Sequence, residues 1–218
     1  MILPSPLPPE WARWATNLSI IEASIAGLRT GGDKSFDHFR KLVNSLFCMT
    51  IGHAEASLHM RKRRDGRKTV AQFEGGYGDW PPVVRLTNDY YLRFVMALYV
   101  EPGNGFLKTR LSAFQYQKDA AGEDWVFRYD YQRDRNAGEI RPSAHLHLRS
   151  HLLSADVLDP KKLVERVHFP CGRPTIESTI RLLIDGFGVE PDAPPELWRP
   201  VLKESEDWFL SIAHKPEV

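Results

Sequence analysis

The chain has 218 residues, of which 42% are hydrophobic and 26% are charged, and its formal net charge at pH 7 is +1. This length fits one domain, or one domain with a small subdomain, that buries a real hydrophobic core. The balanced charge argues against a protein that binds nucleic acid over its whole surface, so any basic function must be regional.

The number of cysteines and the hydropathy of the chain indicate its cellular compartment. Cys48 and Cys171 are far apart and lack CxxC spacing, which argues against a disulfide scaffold and fits a reducing compartment. No run of about 18 apolar residues could span a bilayer, and no charged leader precedes an apolar stretch. The sequence therefore predicts a cytoplasmic protein with no membrane partner.

The N-terminal part predicts an arm followed by two helices. Residues 1–9 contain four prolines, which restrict the backbone, so we expect an extended arm. Residues 10–52 then carry two apolar runs at helical spacing, separated near Gly31-Gly32. The runs are Trp11, Trp14, Leu18, Ile21 and Ile25, then Phe36, Phe39, Leu42, Val43, Leu46 and Phe47.

A sheet is predicted for residues 54–151, and its first hairpin carries the densest positive run. The Asp65-Gly66 pair is a strong two-residue turn signal. This basic tip is either a solvated turn or a contact for an acidic partner or a phosphate backbone, with strong salt dependence. Its cations are Arg61, Lys62, Arg63, Arg64, Arg67 and Lys68.

The middle of the chain predicts a β-meander. Two apolar runs, 90–100 and 106–116, flank a Pro-Gly-Asn-Gly turn, which favours a hairpin. The first run also fits a short buried helix, since periodicity alone does not separate these cases. A third strand begins at Trp125, and such a meander needs a covering layer on its apolar face.

Residues 125–151 predict two strands, each with a different kind of side chain on each of its two faces. Aromatic residues alternate along the first strand, which ends in Tyr129 and Tyr131. In the second strand Leu146 and Leu148 point one way, while the intervening polar residues point the other way. With the leucines facing the core, these residues line an exposed or cleft-facing surface: His145, His147, Arg149 and His151.

The histidine-bearing face has three interpretations. It is a solvated outer face of an antiparallel sheet, a site of nucleic-acid or phosphate chemistry, or a metal site. A metal site would take two ligands from the His-x-His pair and a third from His151 or His168, although no zinc signature is present.

The last third of the chain predicts helices over residues 158–214 that cover the sheet. Pro160 suits the first position of a helix, Thr175 suits a cap, and Gly186 or Gly188 suits a stop. We therefore expect an α+β fold: a central antiparallel β-meander with N-terminal helices and C-terminal helices packed on one face. Residues 10–218 form a single domain in this interpretation.

Residues 125–186 resemble small uncharacterised bacterial proteins and, more distantly, the TumE-like toxin components of toxin–antitoxin pairs. The resemblance rests on a Tyr-x-Tyr strand end, a His-x-His strand and a His-Phe-Pro bend: Tyr129, Tyr131, His145, His147, His168, Phe169 and Pro170. It implies a bacterial stress or defence setting and action on RNA.

These residues suggest a ribonuclease that needs no metal or other cofactor. His168 would pair with His145 or His147 for acid–base chemistry, and Arg149 or Arg173 would steady the phosphate. Tyr129 or Tyr131 would stack a base. The simpler interpretation of His168 is a packed histidine bonded to a neighbouring group.

The competing hypothesis is a noncatalytic binding or assembly protein. Six tryptophans and scattered tyrosines suit an interface with a protein partner such as an antitoxin, although they suit a core equally well. Histidines that converge in a hollow favour the enzyme, whereas a flat histidine face beside an exposed aromatic patch favours the binding protein.

Overall fold

The fold is known from a computed structural model that describes residues 8–32, 34–52, 58–62, 68–73, 83–102, 104–133, 143–149 and 169–213. Within these ranges, the side chains of 58–62, 68–73, 169–170 and 212–213 are not described. The helices are α1 (Ala15–Thr30), α2 (Ser35–Met49), α3 (Ile176–Phe187) and α4 (Pro195–Ala213), and a 3₁₀ helix at Pro9–Trp14 precedes α1.

The strands form one antiparallel sheet in an α+β fold, as the sequence predicts. They are β1 (Leu58–Lys62), β2 (Lys68–Phe73), β3 (Val83–Arg85), β4 (Tyr91–Val100), β5 (Leu107–Gln117), β6 (Trp125–Gln132), β7 (Ala144–Leu148) and β8 (Phe169–Pro170). Their order is β1-β2-β4-β5-β6-β7-β8, with β3 paired to β4. Run 90–100 is therefore strand β4 and not a helix.

One face of the sheet forms the hydrophobic core with the helices. Alternate residues of β4 are buried there, because period-two alternation places them on one side. Phe94 meets Phe47 of α2 at a ring separation of 5.8 Å, and Tyr116 of β5 meets Phe187 of α3 at 4.8 Å. Both helix pairs thus cover the same face, which leaves the polar side chains of the strands on the other.

The ends of the helices confirm some sequence predictions and correct one. Thr175 caps α3 through the backbone N–H of Ser178, and Gly188 ends it in the left-handed conformation with φ 67°. Trp11 and Trp14 belong to the 3₁₀ turn, so α1 begins only at Ala15.

Residues 1–7 of the predicted arm and the predicted helix at 158–167 lie outside the described residues. No helix in the described part is long and apolar enough to cross a bilayer.

A buried carboxyl joins α3 to α4. The hydroxyl of Ser205 donates a hydrogen bond to the carboxyl group of Glu177, and Glu177 is only 5% exposed. Burial raises the pKa of Glu177 above its ordinary value of 4.5, despite the hydrogen bond from Ser205, which acts in the opposite direction. Above the pKa of this carboxyl in the unfolded chain, the unfolded chain ionises freely, whereas the folded protein resists ionisation. The contribution of Glu177 to the free energy of unfolding therefore falls as the pH rises.

We expect Glu177→Gln to increase the free energy of unfolding by about 1 to 3 kcal/mol at pH 7, because the amide keeps the acceptor for Ser205 and carries no charge to desolvate. At pH 4 the difference should nearly disappear. Urea unfolding of both proteins at the two pH values measures it, and a variant that is less stable at pH 7 would contradict this account.

Candidate functional site

The polar face of the sheet brings β6 and β7 together around an acidic residue. Asp130 lies directly opposite His145, and Arg128 lies opposite His147. Leu146 and Leu148 pack against the core, so the two histidines point to the other face, as the alternation predicts. Asp130 shares that face because it alternates with the core-facing tyrosines of β6.

Three side chains converge on one carboxylate oxygen. Arg128 donates its Nε hydrogen to Asp130 Oδ2 at 2.8 Å. His147 Nε2 lies 3.3 Å from the same oxygen, and His145 Nε2 lies 3.9 Å from it. The two imidazole rings are 4.9 Å apart and nearly perpendicular. We call Arg128, Asp130, His145 and His147 the histidine–aspartate cluster.

The charge state of the cluster follows from its contacts. Burial alone would raise the pKa of Asp130, but the hydrogen bond from His147 and the charge of Arg128 outweigh it and hold the pKa below its ordinary value. Asp130 is therefore an ionised acceptor at neutral pH, and it fixes which nitrogen of His147 carries the proton.

The burial of the histidines corrects one sequence interpretation. His145 and His147 are only 7% and 6% exposed, so these two positions are buried and not part of a solvated outer surface. Arg128 is the most open member, with 39% of its side chain exposed, and Asp130 follows with 25%. Access from solvent to the cluster is thus greatest beside the arginine.

A second arginine extends the cluster across the sheet. Arg93 of β4, Gln115 of β5 and Arg128 of β6 lie in one cross-strand row that ends at His147. Burial lowers the pKa of Arg93, and the charge of Arg128 lowers it further, whereas the charge of Asp130 raises it. Arg93 Nε is buried and has no hydrogen-bond partner among the residues that the structure describes. A buried donor of this kind is rare in folded proteins and often belongs to a functional site, a strained segment, or a site for a water or an ion.

The tyrosines and Arg173 lie on the far side of the sheet from the histidines. Tyr129 packs against the core ring of Phe127 at 5.5 Å. Arg173 lies between Tyr131 and Phe209, at 4.3 and 4.7 Å from the ring centres. The predictions that these tyrosines stack a base beside the histidines, and that Arg173 steadies the phosphate there, are therefore wrong, since the sheet separates the two faces.

Arg149 is held at the turn between β5 and β6. Its guanidinium donates a hydrogen bond to the carbonyl oxygen of Glu123 and lies 3.9 Å from Asp124. Arg128 is the arginine that donates a hydrogen bond to Asp130.

Other predicted site residues cannot be placed. His151, His168, Arg63, Arg64 and Arg67 lie outside the described residues. The backbone of Arg61 pairs with Val70 in the β1–β2 hairpin, which confirms the predicted hairpin but not its function.

Sequence reasoning missed Arg93, Arg128 and Asp130. The alternation of β6 does assign Arg128 and Asp130 to the face opposite the aromatic residues. Their meeting with the histidines required the β6–β7 register, and the position of Arg93 required the strand order. Neither can be deduced from spacing, because the strands are separated by turns of unequal length.

The fold and the cluster define an α+β protein with a buried histidine–aspartate cluster and two arginines on the sheet face opposite its helices. No protein-family model matches the chain, and neither the curated proteins nor the solved structures contain a significant match. Functional inference therefore depends on the geometry of the cluster.

Proposed function

We propose that this protein is a toxin-like ribonuclease that cleaves RNA without a metal ion, using the histidine–aspartate cluster for acid–base catalysis. The observation that carries the proposal is the convergence of two imidazoles on Asp130 with two arginines in the same row. When the histidines are neutral, Asp130 contributes one negative charge, and Arg93 and Arg128 each contribute one positive charge. Such a site favours an anion such as a phosphodiester.

The chemistry assigns a different task to each group. His147, held by Asp130, accepts the proton of a ribose 2′-hydroxyl, and the resulting oxygen attacks the adjacent phosphorus. The bond from phosphorus to the 5′-oxygen breaks, and His145, which enters the reaction as imidazolium, gives that oxygen its proton. The products are a 2′,3′-cyclic phosphate and a free 5′-hydroxyl. Asp130 acts by positioning His147.

The arginines stabilise the negative charge that builds up on the phosphate oxygens. Arg128 is the more exposed and contacts the phosphate, while Arg93 lies in the same cross-strand row and adds its positive charge. Asp130 neutralises only one of the two cations. The remaining positive charge supports phosphate chemistry over a purely structural ion pair.

The cellular part of the proposal is a stress or defence role with an antitoxin as protein partner.

The alternative of a noncatalytic binding protein is less well supported. Among the described side chains, Leu111 is the single exposed large hydrophobic, at 38%, so this part of the chain offers no exposed aromatic patch.

The test uses purified full-length protein in EDTA with a labelled single-stranded RNA and a DNA of the same sequence. We expect the RNA to be cut to products with 2′,3′-cyclic phosphate ends and the DNA to remain intact. Equal cutting of the RNA and the DNA, or no cutting of any RNA tested, would refute the proposed reaction. His38→Asn is the matched control, since that ring lies beside Gly27, remote in sequence from the cluster.

We also expect Arg93→Met to lower kcat/KM for RNA by about 10-fold, because the cluster loses one of the two positive charges that attract and stabilise the phosphate. The salt dependence of KM should weaken as well. Arg199→Met serves as control, since Arg199 pairs with Asp185 on the surface of α4. An equal effect of the two substitutions would show that Arg93 has no specific role.

A further inference from the structure

We propose that Asp130, His145 and His147 also form a binding site for one divalent transition-metal ion, with Zn²⁺ the best-suited ion. The binding site goes beyond the proposed function, whereas its consequence for catalysis rests on that function. One ligand atom from each of these residues lies within 4.8 Å of the other two.

The distances match those around a bound ion. Ligand atoms about 2.0–2.1 Å from a tetrahedral zinc ion lie about 3.3–3.4 Å from one another. His147 Nε2 and Asp130 Oδ2 are already 3.3 Å apart. The 3.9 Å between His145 Nε2 and that oxygen closes with a small rotation of the imidazole. Binding therefore requires little rearrangement of the strands.

The donor set selects the kind of ion. Two imidazole nitrogens and a carboxylate oxygen suit Zn²⁺ and other first-row transition metals, whereas Mg²⁺ and Ca²⁺ prefer sites made of oxygen ligands. Three protein ligands leave one tetrahedral position for water or a phosphate oxygen. Arg128 would act as the outer hydrogen-bond donor that orients the ligating carboxylate.

The neighbouring cations limit the affinity. Arg93 and Arg128 repel the metal dication, so we expect weaker binding than at a three-ligand site without neighbouring cations.

Metal binding and proton transfer use the same imidazoles. An ion bound to Nε2 of His147 replaces the proton that this nitrogen donates to Asp130. The positive charge of the ion makes the other ring nitrogen a weaker base for the 2′-hydroxyl proton, so the metal-bound protein is the inactive form. Zinc should inhibit RNA cleavage, and EDTA should restore it. Stimulation of cleavage by zinc would overturn this consequence.

The test of the site needs no RNA and therefore separates it from the proposed function. Zn²⁺ is titrated into the untagged full-length chain in competition with a chromophoric chelator, for wild type, Asp130→Asn, His145→Ala, His147→Ala and the control His38→Ala. We expect one equivalent to bind wild type and the control, and each cluster variant to bind about 10- to 100-fold more weakly. No binding to wild type, or undiminished binding to all three cluster variants, would overturn the proposal.

A second measurement uses the wild-type chain alone and so does not depend on how well the variants fold. Co²⁺ replaces Zn²⁺, and the visible spectrum reports the ligands. We expect the absorption of tetrahedral cobalt with nitrogen and oxygen ligands. A sulfur-to-cobalt charge-transfer band would assign the ion to Cys48 or Cys171 and would refute the site.

Discussion

Replacing His147 with glutamine is expected to slow RNA cleavage by about 100- to 10,000-fold, because an amide cannot accept the proton of the 2′-hydroxyl. Glutamine can still donate a hydrogen bond to Asp130 Oδ2, which lies 3.3 Å from His147 Nε2. The loss should therefore appear mainly in kcat, with KM little changed. Single-turnover cleavage of a labelled RNA, with protein in excess, measures it.

The control for this prediction is His38→Gln, which removes an imidazole between α1 and α2 and should leave the rate unchanged. Circular dichroism and urea unfolding of both variants establish that the fold is retained. A His147→Gln protein that folds normally and cleaves RNA at the wild-type rate would remove the catalytic assignment of His147.

The second large effect concerns the core face of β4. Leu92→Ala should lower the free energy of unfolding by about 2 to 5 kcal/mol, because it removes apolar contacts and leaves a cavity under the helices. Leu92 is 1% exposed and lies opposite Tyr116 of β5. The midpoint of urea unfolding should fall accordingly, with the slope of the transition unchanged.

Leu111→Ala on β5 is the matched control, since it deletes the same atoms from a residue that is 38% exposed. We expect it to cost less than about 1 kcal/mol, because those atoms remain partly in water in the folded state. Equal costs for the two leucines would contradict the difference in burial between these two positions.

Much of the secondary structure could be predicted because it depends on local patterns. The Pro-Gly-Asn-Gly turn between two apolar runs correctly predicts the β4–β5 hairpin, and Thr175 followed by apolar residues at helical spacing predicts the start of α3. Run 90–100 is favoured as a strand by the adjacent turn, but its periodicity alone also fits a short buried helix. Pairing with β5 decided in favour of the strand.

The candidate site was predicted only in part. Alternation in β7 correctly assigns His145 and His147 to one face and the leucines to the other. The same rule, applied to β6, assigns Tyr129 and Tyr131 to the core face, yet without the register nothing indicated that this excludes them from the histidine face. Burial of the imidazoles was also unexpected, because the polar face of an antiparallel sheet is usually solvated.

By itself, the sequence determined the α+β class and the phase of β4, β6 and β7, because both follow from spacing between neighbouring residues. The tertiary structure alone decided which polar side chains meet. Asp130 reaches His145 and His147 through the β6–β7 register, and Arg93 joins their row only because β4, β5 and β6 are adjacent. Contacts between residues far apart in the chain depend on strand order and register. Alternation within a strand gives the face of each side chain but does not by itself name its partner on the next strand.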